Sequence, residues 1–239
     1  MGPPAGLVPP CALAELWAVR HGQSTANLAF AAAAGSGSTL PVPGRDRDVP
    51  LSAAGVEQAT ALGRALAGWS GGGPDLVVCS PYLRARQTWE LMASHAAGLG
   101  VPPPETVVDE RLRDREMGVF ELHPPAALRA RAPEEAARRE LLGDWYYRPP
   151  GGEAFTDVAV RVGQLVSDLS RAAPGRRVLF VAHDGVLAAL RHVLAGVGAD
   201  PPEHLPPVPN ASVSHWRGDG HRLRPVLWGD TAHLTPPDG

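Results

Sequence analysis

Residues 14–22 read Ala-Glu-Leu-Trp-Ala-Val-Arg-His-Gly. An apolar run ends abruptly at Arg20-His21-Gly22, the pattern of a buried strand running into a loop. Val178–Ala182 (VLFVA) repeats it and ends at His183. Asp75–Cys79 and the β-branched Glu105–Asp109 add two more short strands. Helical stretches separate them. Ser52 is a plausible N-cap for a helix with Val56, Ala59, Gly63 and Leu66 on one face, stopped by Gly71–Pro74. A second helix runs from Pro81 to about Ala97. A third begins at Phe155, with an apolar stripe of Val158, Val162, Leu165, Val166 and Leu169, and a fourth spans Val186–Leu194. Ala211–Arg217, the turn Gly218-Asp219-Gly220 and Arg222–Trp228 read as a hairpin. The expected fold is therefore three-layer α/β: a mostly parallel central sheet, helices on both faces, and a C-terminal antiparallel hairpin. In such sheets the ligand crevice lies at the carboxyl ends of the strands.

The remaining stretches are less regular. Residues 1–11 and 235–239 read as flexible tails of a single domain spanning residues 1–239. Residues 28–48, rich in small residues and then charge, read as an inserted loop, and 111–150 as loop plus short charged helices.

Composition narrows the chemistry. All 22 basic residues are arginine. Schiff-base chemistry, pyridoxal-phosphate attachment and the P-loop lysine are therefore excluded. With 25 acidic residues the formal charge is −3, which disfavours a nucleic-acid partner. The N-terminus has no basic n-region and no apolar stretch approaches 18 residues, so a membrane partner is not expected and the expected location is cytoplasmic. Cys11 and Cys79 form no CxxC pattern, and Cys79 sits inside an apolar strand as a small hydrophobe. Nothing in the sequence sets the oligomeric state.

Arg20-His21, Ser80 to Arg84 and His183 each follow a strand, so three separated segments bring two histidines and two arginines to one sheet edge. That set suits a phosphoryl group. The arginine fork meets two phosphate oxygens at once, and a neutral histidine is a nucleophile that can carry a phosphoryl group covalently. A metal-dependent alternative would use His21, His183 and Asp184, but it lacks a close-spaced ligand pair.

These segments carry a family resemblance over residues 14–234. Arg20-His21-Gly22-Gln23-Ser24-x-x-Asn27 resembles the RHGxSxxN signature of the histidine phosphatase superfamily, in its phosphoglycerate mutase-like branch. Leu51-Ser52-x-x-Gly55-x-x-Gln58-Ala59, Ser80-Pro81-x-x-Arg84-Ala85-x-Gln87-Thr88, Pro150-Gly151-Gly152-Glu153, Val181-Ala182-His183 and Asn210-x-Ser212-Val213 follow in the family's order. The resemblance implies a phosphoric monoester hydrolase acting on a small-molecule phosphomonoester without a cofactor or metal. His21 would be the phosphoryl acceptor, Arg20, Arg84 and His183 would bind phosphoryl oxygens, and Asn27 would assist. The family's acid is a glutamate in LxExxxG; here the pattern is Leu112-Arg113-Asp114-Arg115-Glu116-Met117-Gly118, which places Asp114 at the acid position and leaves Glu116 as its rival. Asp184 stands where the family has glycine and is expected to cap the following helix. A mutase-like phosphotransferase and a catalytically weak phosphate-binding module are the alternatives.

Overall fold

The computed structural model describes residues 7–69, 72–202 and 208–235. Strand β1 (Glu15–Arg20) is central, with parallel β4 (Arg177–Ala182) on one side and antiparallel β5 (Val213–Gly218) on the other. Beyond β4 lie β2 (Leu76–Cys79) and β3 (Glu105–Val108), both parallel; β6 (Leu223–Asp230) closes the other edge as the second arm of the hairpin. The order is β3-β2-β4-β1-β5-β6. The mostly parallel sheet and C-terminal hairpin match the expected α/β fold.

Period-two alternation sends each strand's side chains into two cores. Leu16 and Ala18 of β1, Leu76 and Val78 of β2, and Val178, Phe180 and Ala182 of β4 join one. Helices α6 (Phe155–Ala172) and α7 (Asp184–Ala195) pack there through Val158, Val162, Leu165, Leu187 and Leu190. Trp17, Val19, Val77, Cys79, Leu179 and Val181 face the other core, with Leu62 and Leu66 of α2 (Ala53–Ala67) and Met92 of α3 (Leu83–Gly98). Each such side chain, fully buried, stabilises the fold by about 1.5–3 kcal/mol.

Ser52 caps α2 as expected, its hydroxyl accepting from Gly55 N–H at 3.1 Å. Val56, expected on the buried face, is instead exposed; Gly55, Ala59, Leu62, Gly63 and Leu66 form that face. The expected inserted loop at 28–48 begins inside a helix, α1 (Thr25–Ser36). Its alanine-rich sequence favours helix but offers no apolar stripe by which to recognise one. Of the expected N-terminal tail, residues 1–6 lie outside the described residues. Cys11 is buried, and its N–H donates to His221 O at 2.8 Å, so the chain is packed there rather than free. Likewise 236–239 lie outside the described residues. Two short helices, α4 (Pro125–Arg131) and α5 (Pro133–Leu142), occupy the 111–150 region, each with proline in its first turn. No helix among the described residues is long and apolar enough to cross a membrane.

Candidate active site

The carboxyl ends of β1, β2 and β4 converge as the sequence predicts. The His21 and His183 rings lie 5.1 Å apart, centre to centre, and both side chains are buried. His21 Nδ1 is 2.7 Å from Gly22 O. A carbonyl only accepts, so Nδ1 holds the proton and Nε2 presents its lone pair. Arg84 Nε donates to that Nε2 at 3.2 Å. Burial, then the charges of His183, Arg84 and Arg20, hold His21 well below the usual imidazole pKa, so the ring is neutral near pH 7.

His183 is set by Ser80, whose Oγ lies 2.8 Å from Nε2 while accepting from Tyr82 N–H at 3.3 Å. The hydroxyl proton is thus free for Nε2, which leaves the ring proton on Nδ1, 3.3 Å from Asp114 Oδ2. Burial lowers the His183 pKa, and Asp114 only partly offsets it. Asp114 also takes Arg84 NH2 at 2.8 Å and Arg115 N–H at 2.8 Å. Burial opposes its charge, but His183, Arg84 and His21 outweigh that and hold the carboxyl well below the usual range.

Arg20 donates to Val208 O at 2.5 Å and pairs with Asp184 at 3.2 Å. The Asp184 carboxylate also serves the helix start, as expected: Oδ1 accepts from Gly185 N–H at 2.8 Å, from the first helical position rather than from the N-cap. His183 occupies the N-cap position, Asp184 is the first helical residue, and a cation within reach holds its side chain outward. Of the alternative metal set, Asp184 thus points to Arg20 rather than to the two histidines; among the described residues no three His, Cys, Asp or Glu side chains form a metal-binding group. Asn27 sits in the first turn of α1, where its Oδ1 accepts from Ser24 N–H at 3.0 Å and from Asn210 Nδ2 at 3.2 Å. Glu116, the rival acid, turns away: its carboxylate pairs with Arg113 at 3.0 Å and is half exposed.

The structure brings together all six expected residues, His21, Asp114, His183, Arg20, Asn27 and Arg84. His21, Arg20, Asn27, Arg84 and Asp114 line one cavity of about 280 Å³. One buried donor of the set, Arg20 Nε, makes no hydrogen bond among the described residues, while His183 Nδ1 faces the Asp114 carboxylate at 3.3 Å.

Other motif residues act on the backbone. Thr88, one turn beyond Arg84, accepts Gly22 N–H at 3.0 Å, and Gln58 accepts Gln23 N–H at 2.8 Å. Gln87 takes Leu51 N–H at 2.8 Å. Sequence reasoning gave no role to three residues, of which only Glu153 fell within a quoted motif. Arg161 of α6 donates to Asp114 O at 3.1 Å and Arg111 O at 2.6 Å, while Glu153 binds Arg161 at 3.0 Å and Arg113 at 2.6 Å. Together they clamp the loop that carries Asp114. An arginine between Val158 and Leu165 on the apolar stripe is the signal that identifies it. The third is Asp46, from the excursion, whose carboxylate grips Arg84 at 2.9 and 3.2 Å.

The model of the histidine phosphatase superfamily (branch 1) matches residues 16–231. A glucosyl-3-phosphoglycerate phosphatase of Mycolicibacterium vanbaalenii is 33% identical over 235 residues, covering 90% of this chain and 94% of that one. A Yersinia pestis protein named "Probable phosphoglycerate mutase" is 28% identical, covering 93% and 96%. Among solved structures, a mycobacterial glucosyl-3-phosphoglycerate phosphatase in complex with VO3 superposes with TM-score 0.72 at 30% identity, covering 91% of this chain and 99% of that one.

Proposed function

The chain belongs to the histidine phosphatase superfamily, branch 1, and from that premise we propose that it is a metal-independent phosphomonoester hydrolase acting through phospho-His21. The observation that carries this reading is the buried Arg20 Nε, without a hydrogen-bond partner among the described residues, set with Arg84 and His183 around a neutral histidine nucleophile. Buried donors find acceptors in nearly every folded protein, and a phosphoryl group supplies several at once.

In this scheme His21 Nε2 attacks phosphorus and the P–O bond to the leaving alkoxide breaks. Arg84, Arg20 and His183 take up the charge on the equatorial oxygens, and Asn27 adds a donor at the rim. Asp114 protonates the alkoxide and then removes a proton from the water that attacks phosphohistidine. Its carboxyl is held ionised before substrate arrives; a phosphoryl dianion beside it raises its proton affinity. A mutase would need spare cations for a carboxylate-bearing sugar phosphate, and Arg113, in the cavity beside that of His21, is already committed to Glu116 and Glu153. The relatives' names give hydrolysis of a sugar-acid phosphate as the first substrate class to assay.

The purified protein is expected to hydrolyse an aryl phosphate in excess chelator, with acid-labile phosphate on His21 after a rapid quench. Asp114→Asn should slow poor leaving groups by about 10²–10⁴-fold and Glu116→Gln should not. Loss of activity to chelator would sink the metal-free mechanism, and the reverse ranking of the two variants would move the acid to Glu116.

A further inference from the structure

Arg84 has five N–H groups, and every one is in use. Nε goes to His21; NH1 goes to Asp46 O at 2.6 Å and Asp46 Oδ1 at 2.9 Å; NH2 goes to Asp46 Oδ2 at 3.2 Å and Asp114 Oδ2 at 2.8 Å. Any phosphoryl group that reaches His21 Nε2 in attack geometry, about 3–3.5 Å from phosphorus, also puts oxygens against this guanidinium. Attack through the Nε2 lone pair frees Arg84 Nε for one of those oxygens, and a second oxygen in the fork requires one of the two carboxylates to leave. Asp114 is the fixed one, held by Arg115 N–H, faced by His183 and clamped through its own carbonyl by Arg161.

Asp46 is differently placed. It starts a three-residue turn, Asp46–Asp48, whose flanking Arg45 and Arg47 are exposed. Its side chain forms part of the wall between the cavity holding His21 and a neighbouring one of about 310 Å³, lined by Arg45, Arg47 and Arg113. Its N–H is tied to Glu121 Oε1 at 2.7 Å, so the backbone can stay anchored while the carboxylate swings. Outside the Arg84 fork lies the neighbouring cavity, with Arg45 and Arg47 on its lining.

We propose that Asp46 is a specificity-determining residue: it fills the fork of Arg84 as a stand-in for phosphoryl oxygens and yields only to an anion that engages Arg84 and His21 together. This rests on the phosphatase reading above and adds to it that substrate affinity is set by exchange of one anion for another. A singly charged ligand with two oxygens offers Arg84 no more than Asp46 already does; a phosphomonoester dianion does, because its third oxygen reaches Arg20 or His183. Burial raises the Asp46 pKa against the pull of Arg84, and the charge of Asp114 adds to the rise.

The test titrates inorganic phosphate into the full-length protein and into Asp46→Asn and Asp46→Ala, by calorimetry, beside aryl phosphate turnover. Both variants are expected to bind phosphate about tenfold more tightly, one charge-assisted pair no longer having to break, and KM should fall in parallel. Phosphate binding that is unchanged or weaker in both variants overturns the proposal. So does a kcat loss that grows with leaving-group pKa, which would make Asp46 a proton donor. Asp46→Asn keeps the side-chain shape and guards against a collapsed turn in the alanine variant. If no protein binds phosphate the proposal fails, and wild-type turnover then decides separately whether the phosphatase reading survives.

Discussion

Gly22 and Gly55 touch through bare backbone, and replacing the second should misplace His21, the proposed nucleophile. A Cβ on Gly55 would stand 2.0 Å from Gln23 O, where real contacts are no closer than 3.0 Å, so the segment after His21 must move by roughly 1 Å. Gln23 is tied to α2 twice more, through Gln58 and Ser52, so the strain is shared with those bonds instead of escaping to solvent. Gly55→Ala should therefore cost about 1–3 kcal/mol of stability. A displacement of this size at the attacking group should also lower kcat/KM about 10²-fold in the molecules that stay folded. Gly63→Ala on the same helix is the control. Its Cβ would meet Met92 O at 2.7 Å, a clash between α2 and α3 away from His21, so stability should fall while kcat/KM holds. Melting curves with steady-state kinetics on both variants separate the two effects. Equal kcat/KM for Gly55→Ala and wild type would refute the claim that this contact positions the site.

Three further outcomes follow from the same geometry. Glu153→Ala leaves the buried Arg161 without its carboxylate and should lower stability by about 3–5 kcal/mol, read by denaturant melts; an unchanged midpoint would remove Glu153 from the clamp. Both cysteines are buried, and burial pushes Cys79 up to about 12, so a thiol-specific reagent should label neither until the protein unfolds. His21 and His183 both have folded pKa values below the unfolded value of 6.5, so as pH falls the unfolded chain takes up protons first. Stability should be full above about pH 6.5 and decline below it, by at most about 1.4 kcal/mol per pH unit for each histidine; melting temperatures that stay flat from pH 8 to 5.5 would contradict this.

The parts of this molecule that sequence made legible are those whose neighbours are local or periodic. VLFVA is apolar on both faces because it lies between two cores, and Ser52 caps a helix through its own next turn. Asp46 is different. Its partner Arg84 is 38 residues away and the excursion that carries Asp46 has no pattern of its own, so only its folded path brings them together. α1 escaped notice because Ala26 and Ala33 are its only buried residues, too little surface for an apolar stripe. Asp184 was legible as an anion at a helix start; that Arg20 would claim it depended on β1 and β4 lying side by side.

The strand order also dictates when the site can exist. β1 is made before both of its neighbours: Glu15 pairs with Arg177 on one side and Arg217 on the other. During synthesis the strand that aims His21 lacks one neighbour until β4 has emerged and the other until β5 has followed. Such distant pairings carry a large loop-closure entropy and slow the search. An unfinished chain thus has the nucleophile in its sequence but no scaffold to orient it. Activity should appear late and all at once on the ribosome, and truncation before Gly218 should abolish it even though all six residues assigned to the reaction are present.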